Sequence, residues 1–426
     1  MPDNRRKKVV VTGLGVVSPI GSRLPDFERA LKEGASGIRF CPELSENGFA
    51  CQIAGLVPDF NAVGREILGD EALGSLPASI AYGSTAALLA WKDAGLSEPD
   101  PDGEPDWDTG AVIGTGIGDM DTIANKIVPL VNAGQVRRMG SRIIEHVMHS
   151  GATAQVAGLL GLGNRTSSNA SACSTGTEAV IEAARHIRCG AGKRMLAGGA
   201  EGSSPYTWAG FDSMRVLCRK FNSSPKEGSR PMSASACGFV PGAGAGILVL
   251  EDYETAVRRG ARIYAEVAGG SLNSGGQRNG GTMTAPNREG VKRCIKGALL
   301  DSGLLPEELD AISGHLTATF ADPLEIQNWA AALRRGPENF PFINAPKSLF
   351  GHCLGAAGAI ECVAAVLELY GGFLHTSLNC EDLHPEIEPF AKSVVRNFIE
   401  KPDLKNLAKA SFGFGDVNAC VVFKKT

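Results

Sequence analysis

The sequence lacks the features that mark several classes of protein. No apolar run is long enough to predict a membrane span, and the basic stretch at residues 5–8 is not followed by the apolar segment of a secretion signal. Basic residues do not outnumber acidic ones: the formal net charge is −4, which argues against nucleic-acid binding as the main task. We therefore expect neither membrane insertion nor a nucleic-acid partner.

Paired cysteine spacings are also missing. The eleven cysteines form no CxxC motif and no framework of the kind found in disulfide-rich domains. Their spacing predicts free thiols in a reducing cytoplasm, and it gives no support to a structural zinc site or another metal centre.

A complete dinucleotide-binding fingerprint is absent as well. Residues 9–12 form a β-branched run that predicts a strand, and Gly13-Leu-Gly15 predicts a turn after it. Ser18 stands where the third glycine should be, and Ser18-Pro19 predicts a second turn in place of the required helix start. The pattern argues against a Rossmann unit at this end of the chain.

What the chain has is length and a regular alternation of strand and helix patterns. Its 426 residues exceed one ordinary domain and predict two, which we place at residues 1–253 and 254–426. The alternation predicts α/β architecture. The strand patterns fall at residues 9–12, 111–118, 193–201 and 246–251, and the helical patterns at 26–32, 81–94 and 178–187.

The second half of the sequence echoes the first. Residues 173–184 align without a gap on residues 352–363, and in both a short extended stretch leads into a helix of small residues. A duplicated fold predicts this echo, and chance similarity between two Ala/Gly-rich helices is the alternative. Duplication would place Cys173 and His352 at equivalent helix starts. The aligned identities are Gly176 with Gly355, Ile181 with Ile360, and Glu182 with Glu361.

Cys173 lies where an extended stretch gives way to the helical pattern that includes Glu178. A helix N-terminus offers unpaired N–H groups and partial positive charge, so we expect this thiol to ionise easily and act as a nucleophile. A buried structural cysteine is the alternative for any single cysteine.

Three residues of the second half are candidate partners for Cys173. His315 follows the strand-like residues 311–313, while Lys347 and His352 lie in a glycine-flanked turn before the second small-residue helix. In the run 411–418, two glycines flank Phe414 and let its N–H join that of Cys173 as an oxyanion hole. The alternatives are structural histidines and an ordinary hairpin connection.

Four ordered motifs resemble those of the β-ketoacyl-acyl-carrier-protein synthases, the decarboxylating condensing enzymes that elongate acyl chains, over almost the whole length. The resemblance implies the thiolase fold, with duplicated α/β halves in a five-layer α-β-α-β-α arrangement, and a homodimer. It implies acyl-carrier protein as the partner and no cofactor beyond the phosphopantetheine that carries the substrates. The motifs are Ala172-Cys173-Ser, His315-x-Thr-x-Thr, Lys347-Ser-x-x-Gly-His352-x-x-Gly-Ala-Ala-Gly-Ala-x-Glu361 and Phe412-Gly-Phe-Gly.

The resemblance also implies roles for individual residues. Cys173 would accept the acyl group, and His315 and His352 would promote decarboxylation of the malonyl thioester. The N–H of Phe414 would complete the oxyanion hole, and Lys347 would tune the histidines. The remaining implied assignments are Glu361 as a buried partner, Thr317, Thr319 and Thr284 beside the pantetheine arm, and Ile117 at the end of the acyl tunnel.

Several positions depart from the family pattern. Leu316 replaces the usual glycine between the first histidine and its threonine, Asp416-Val417 replaces Gly-Thr, and residues 232–237 lack the usual charged run. These changes predict a divergent branch that serves a specialised lipid or polyketide pathway. Carrier-protein docking requires positive charge, and the candidates are Arg137, Arg138, Arg219 and Lys220, for which solvated surface charge is the alternative.

Other functions remain open on the sequence. A chain-initiating synthase pairs its cysteine with one histidine and an asparagine, and a thiolase uses a second cysteine, for which Cys420 is the candidate. A partner-dependent polyketide ketosynthase subunit, its non-catalytic chain-length counterpart and a cysteine hydrolase are further alternatives.

Overall fold

The computed structural model describes residues 6–58 and 60–426, so the start of the basic stretch, Arg5, lies outside it. The strands are β1 (Val9–Val17), β2 (Ile38–Phe40), β3 (Ile53–Gly55), β4 (Thr109–Gly114), β5 (Thr166–Ser167), β6 (Arg194–Glu201), β7 (Gly244–Asp252), β8 (Ala265–Ser274), β9 (Ala311–Ser313), β10 (Phe342–Asn344), β11 (Phe373–Leu374), β12 (Ile399–Glu400), β13 (Asn406–Gly413) and β14 (Val417–Lys424).

The α-helices are α1 (Leu24–Glu33), α2 (Pro42–Glu46), α3 (Phe60–Leu68), α4 (Asp70–Ser75), α5 (Ala78–Asp93), α6 (Met120–Thr122), α7 (Val128–Asn132), α8 (Ile143–Val147), α9 (Gly151–Leu160), α10 (Thr175–Arg188), α11 (Pro205–Ser213), α12 (Tyr253–Arg258), α13 (Arg288–Ser302), α14 (Ala321–Leu333), α15 (Lys347–Phe350) and α16 (Leu354–Gly371). Short 3₁₀ helices include Ala172–Ser174 and Val136–Arg138, and a π-helical turn spans Ile123–Ile127.

The main sheet repeats one topology twice. Its strand order is β10-β9-β13-β14-β8-β1-β7-β6-β4-β5, and the two halves meet where β1 pairs with β8. Counted outward from this junction, the first two pairs of neighbouring strands in each half are antiparallel: β1-β7 and β7-β6 in one half, β8-β14 and β14-β13 in the other. The next two pairs in each half are parallel. The same order and directions in both halves support the duplication inferred from the sequence.

Two helices form the middle layer between the sheet halves. Helices α10 and α16 pack against each other and contact strands of both halves, while α5 covers the first half and α13 the second. Gly176 makes the close approach possible, since a Cβ there would lie 2.8 Å from that of Ala359. Three apolar clusters fill the spaces between the layers, which gives the five-layer α-β-α-β-α arrangement and confirms the predicted fold.

Two expectations from the sequence were wrong. Residues 13–15 form no turn, because β1 continues to Val17 and the glycines let helix α5 approach: a Cβ on Gly13 or Gly15 would overlap the α5 backbone. Helix α16 is long and apolar enough by composition to cross a membrane, contrary to the expectation that no such run exists. Of its 18 residues, 89% are buried inside the protein, as expected of a central core helix.

Candidate active site

Cys173 lies in the 3₁₀ turn that leads into α10, at the centre of the molecule. The residue before it, Ala172, has a left-handed φ of 49°, which turns the chain sharply into the helix. The backbone N–H groups of Cys173 and Phe414 both face the sulfur. Gly413 lets the two segments meet, because a Cβ there would lie 3.2 Å from the Cys173 nitrogen.

The expectation that this thiol ionises easily was wrong. Burial raises the pKa of Cys173 to about 11, although the facing Phe414 N–H and the charge of Lys347 act in the opposite direction. The thiolate loses more free energy from lost solvation than it gains from the helix N-terminus, because only 8% of Cys173 is exposed. The resting group is therefore a thiol.

Two histidines face Cys173. One ligand atom from each of Cys173, His315 and His352 lies within 4.8 Å of the other two, and the two rings are 5.6 Å apart and nearly perpendicular. The Nδ1 atom of His352 accepts a 3.1 Å hydrogen bond from the N–H of Leu354, and Lys347 Nζ lies 3.4 Å from Nδ1 of His315. This network assigns the ring hydrogen of each neutral imidazole to Nε2.

Both imidazoles are neutral at physiological pH. Burial lowers the pKa of His315 and His352 well below the usual value, and the positive charges of Lys347 and Lys409 lower it further. Each ring is thus a single Nε2–H donor directed away from its Nδ1 contact.

A buried ionic cluster lies behind the histidines. Lys347 Nζ donates to Oε1 of Glu361 at 2.6 Å and to the backbone oxygen of His315 at 2.6 Å. The other oxygen of Glu361 lies 2.8 Å from Nζ of Lys409, and all three ionic side chains are almost fully buried. Lys409 was missed from the sequence because it lies inside the apolar pattern of β13.

Two acidic residues of helix α14 hold the loop that carries His315. Glu325 accepts hydrogen bonds from the N–H groups of His315 and Leu316 at 2.7 and 2.8 Å. Asp322 accepts from the N–H groups of Thr317 and Ala318. Leu316 adopts a left-handed φ of 21° and Ala318 one of 59°, so these carboxylates keep a strained turn in place. Burial raises the pKa of Glu325 to about 7.

Asp416, one of the departures from the family pattern, anchors the loop that carries Phe414. Its buried carboxylate accepts hydrogen bonds from the N–H groups of Gln277 and Asn287 at 2.9 and 2.8 Å. Asn418 donates to the side chain of Asn273 at 3.0 Å. The altered sequence therefore keeps the turn between β13 and β14 tied to the neighbouring loop.

One pocket brings most of the predicted site residues together. It opens above Cys173, and its aromatic wall includes Phe211 of α11, Phe412 of β13, and Phe239 and Phe414 from loops. Among the described residues, Ile117 does not line this pocket: it packs against the outer apolar cluster of the first half, so its predicted role in the acyl tunnel stays a prediction. The predicted residues that line the pocket are Cys173, Thr284, His315, Thr317, Thr319, His352 and Phe414.

The predicted docking cations lie in two places. Arg219 and Lys220 are exposed and follow Val216, a residue of the pocket wall. Arg137 and Arg138 lie on the exposed 3₁₀ turn after α7, and among the described residues that turn contributes nothing to the pocket. The first pair lies nearer in sequence to the pocket wall, and carrier-protein docking by either pair stays a prediction.

The thiol and the two imidazoles also form a donor set of the kind that binds zinc, since all three ligand atoms lie within 4.8 Å. The contacts at both Nδ1 atoms leave the Nε2 atoms facing the sulfur, and a metal there would displace their hydrogens. The expectation that no metal serves this site stays a prediction.

Comparison with known proteins decides the family. The family model described as "Beta-ketoacyl synthase, N-terminal domain" matches residues 6–256, and the one described as "Beta-ketoacyl synthase, C-terminal domain" matches residues 264–381. The chain belongs to the β-ketoacyl synthase family. This β-ketoacyl synthase is 33% identical over 424 residues to 3-oxoacyl-[acyl-carrier-protein] synthase 2 of Vibrio harveyi, with 99% of both chains covered.

Other relatives agree. The synthase is 34% identical over 430 residues to 3-oxoacyl-[acyl-carrier-protein] synthase 2 of Synechocystis, with both chains fully covered. Among solved structures, the ishigamide ketosynthase/chain length factor superposes with a TM-score of 0.88 and 31% identity, over 99% of this chain and 100% of that one. A type II polyketide ketosynthase solved with its acyl-carrier protein superposes with a TM-score of 0.87 and 28% identity, over 99% of this chain and 100% of that one.

The family assignment confirms the resemblance found in the motifs. The protein is a condensing enzyme of the acyltransferase class, which sets the cysteine hydrolase aside. The thiolase alternative has no structural support, because Cys420 is buried within β14 and is not among the pocket residues in the described part of the chain.

Proposed function

We propose that this synthase joins an acyl group, carried on Cys173, to the malonyl unit of malonyl-acyl-carrier protein in fatty-acid or polyketide synthesis. The observation that carries the proposal is the position of Cys173: one sulfur faces two backbone N–H donors and lies within 4.8 Å of two imidazoles. This arrangement provides a nucleophile, an oxyanion hole and donors for an enolate in one pocket.

The first half-reaction is a thioester exchange. The Cys173 thiolate attacks the acyl carbonyl carbon, and the bond between that carbon and the pantetheine sulfur breaks. The N–H groups of Cys173 and Phe414 stabilise the oxyanion. The proton lost by Cys173 is taken up by the leaving pantetheine thiolate, so the buried site gains no net charge.

The second half-reaction begins with loss of carbon dioxide. The bond to the malonyl carboxylate breaks, and its electron pair enters the thioester enolate, whose oxygen accepts hydrogen bonds from Nε2–H of His315 and of His352. The enolate carbon attacks the acyl-Cys173 carbonyl and forms the new carbon–carbon bond. The bond between the acyl carbonyl carbon and the Cys173 sulfur then breaks. The released Cys173 thiolate takes one proton from solvent.

The buried ions set the state of the histidines. Lys347 fixes the tautomer of His315 by its contact with Nδ1, and burial together with the Lys347 charge lowers the pKa of both rings. Glu361 holds Lys347 in place. The reaction needs no further cofactor, because the substrates supply the thioester activation and the leaving carbon dioxide.

Substrate recognition follows from the pocket. Thr317 and Thr319, whose hydroxyls lie 3.0 Å apart, and Thr284 line it and offer hydrogen bonds to a pantetheine arm. Arg219 and Lys220 would meet an acidic carrier protein at the entrance. We further propose a homodimer in a reducing cytoplasm. The short edge strand β5 with its exposed Thr166 could receive a second copy, and the buried thiols suit a reducing compartment.

The test is a condensation assay with acyl-carrier proteins that bear saturated chains of increasing length, followed by malonyl-carrier protein. We expect a β-ketoacyl-carrier product and one carbon dioxide per condensation. Cys173→Gln should abolish condensation and retain malonyl decarboxylation, while Cys189→Ser, at an exposed cysteine, should leave both unchanged. Condensation by Cys173→Gln would contradict the proposal. Activity that appears only with a sister subunit would favour the partner-dependent ketosynthase.

A further inference from the structure

Two cysteines outside the condensation site lie in contact beside the pocket. The sulfurs of Cys218 and Cys237 are 3.1 Å apart, closer than in an ordinary contact between unbonded thiols. Cys218 is buried, whereas Cys237 is partly exposed and therefore accessible to small solutes. Cys237 ends the segment 232–237 that departs from the family pattern, so the condensation chemistry does not account for it.

The backbone fixes the two cysteines next to each other. Leu217 and Phe239 form a parallel bridge, and the N–H of Cys218 donates to the oxygen of Phe239 at 2.9 Å. The N–H of Phe239 returns a 3.0 Å hydrogen bond to Val216. Closing the 3.1 Å sulfur distance to the roughly 2.05 Å of a disulfide requires a movement of about 1 Å.

The surroundings make one of the two sulfurs the better nucleophile. The pKa of Cys237 is lowered by the hydrogen bond from Cys218, by the N–H groups of Lys220 and Arg219 and by the charge of Lys220. The pKa of Cys218 is raised by the same contact and by burial. A thiolate next to a protonated thiol is the arrangement that disulfide formation uses.

We propose that Cys218 and Cys237 are a redox pair that peroxides convert into a reversible disulfide at the wall of the acyl pocket. The Cys237 thiolate attacks a peroxide oxygen and the O–O bond breaks, which gives a sulfenic acid. The leaving hydroxide or alkoxide takes a proton from solvent and becomes water or an alcohol. The sulfur of Cys218 then attacks that of Cys237, the S–O bond breaks, and water leaves with the Cys218 proton. Two thiols are oxidised by two electrons, and one peroxide is reduced.

The disulfide would tie together two parts of the pocket wall. Val216 precedes Cys218 by two residues, and Phe239 follows Cys237 by two; both line the pocket. The ring of Phe239 packs 5.1 Å from that of His352. The catalytic thiol is a poorer target, because burial raises the pKa of Cys173 to about 11.

The experiment oxidises the reduced, full-length protein with hydrogen peroxide at neutral pH, blocks free thiols with N-ethylmaleimide and maps the peptides by mass spectrometry. We expect a cross-linked peptide pair joined through Cys218 and Cys237 that dithiothreitol releases. In Cys218→Ser, we expect a dimedone adduct on Cys237 in place of the cross-link, and in Cys237→Ser neither product. The cross-link should be lost completely in either variant, because each lacks one of its two sulfurs.

Cys189→Ser is the matched control, because Cys189 is exposed and lies outside the pair. It should leave the cross-link unchanged. The proposal is overturned if Cys218 and Cys237 both remain maleimide-labelled while Cys173 or Cys189 is oxidised. None of these outcomes depends on condensation, so failure here leaves the proposed function standing.

Discussion

Glu361 is the residue whose removal most sharply tests the buried ionic cluster. Its two oxygens lie 2.6 Å from Nζ of Lys347 and 2.8 Å from Nζ of Lys409, and no part of its side chain reaches solvent. Glu361→Gln keeps the size of the side chain and leaves two buried ammonium groups without their shared counter-ion. Removing one partner of a buried ion pair costs about 3–5 kcal/mol, and we take about 4 kcal/mol here.

The expected shift in melting temperature follows from chain length. With 426 residues and an unfolding entropy of about 2.1 cal/mol/K per residue, the chain has about 0.9 kcal/mol/K in total, so the loss corresponds to about 4–5 °C. Condensation should fall as well, because Lys347 loses the contact that holds it beside His315. Calorimetry and the condensation assay measure the two effects.

A second substitution makes the test stringent. Adding Lys409→Met to Glu361→Gln removes one of the two uncompensated charges, so the double variant should be more stable than Glu361→Gln alone. Glu338→Gln is the surface control, since its ion pair with Lys392 is largely exposed and should contribute less than about 1 kcal/mol. The reasoning is refuted if Glu361→Gln behaves like Glu338→Gln, or if Lys409→Met destabilises the double variant further.

Three further results are expected. The rate at which iodoacetamide alkylates Cys173 in the ligand-free enzyme should keep rising until the pH approaches 11, because the raised pKa of the thiol leaves little thiolate at neutral pH. A rate that already levels off at pH 8 would contradict the burial argument. Added Zn²⁺ should block condensation by binding Cys173, His315 and His352, and EDTA should restore the activity. EDTA alone should leave condensation unchanged. Inactivation by EDTA alone would show that a metal is required. Asp416→Asn should weaken two charge-assisted hydrogen bonds, costing about 1–2 kcal/mol in stability measured by denaturation and lowering kcat; wild-type values of both would refute its anchoring role.

Much of the fold and most of the site could be predicted from the sequence. The helical patterns at 26–32, 81–94 and 178–187 lie within α1, α5 and α10 apart from one residue, Ala94, and the repeated segments became the two central helices. These predictions succeeded because apolar periodicity and small residues at helix contacts are local features of the sequence. Cys173, His315, His352 and Phe414 could be found because each follows a strand end or precedes a helix, and all four line one pocket.

What the sequence could not give depends on distant contacts. The glycines at 13 and 15 suggest a turn locally, and only the packing of α5 on β1 shows that they permit close approach. Lys409 is one charge in an apolar strand, and its partner Glu361 lies 48 positions earlier in the sequence. The pKa of Cys173 depends on how completely the pocket excludes water, which no helix-start signal reports.

The most direct measurement is the mass of the active-site peptide after the enzyme is mixed with an acyl-carrier protein that bears a saturated acyl chain. If the condensation mechanism is right, the peptide that contains Cys173 gains one acyl group, and malonyl-carrier protein then removes it as the β-ketoacyl product. No acylation of Cys173 by any chain length, or an acyl group that malonyl-carrier protein leaves in place, would contradict it.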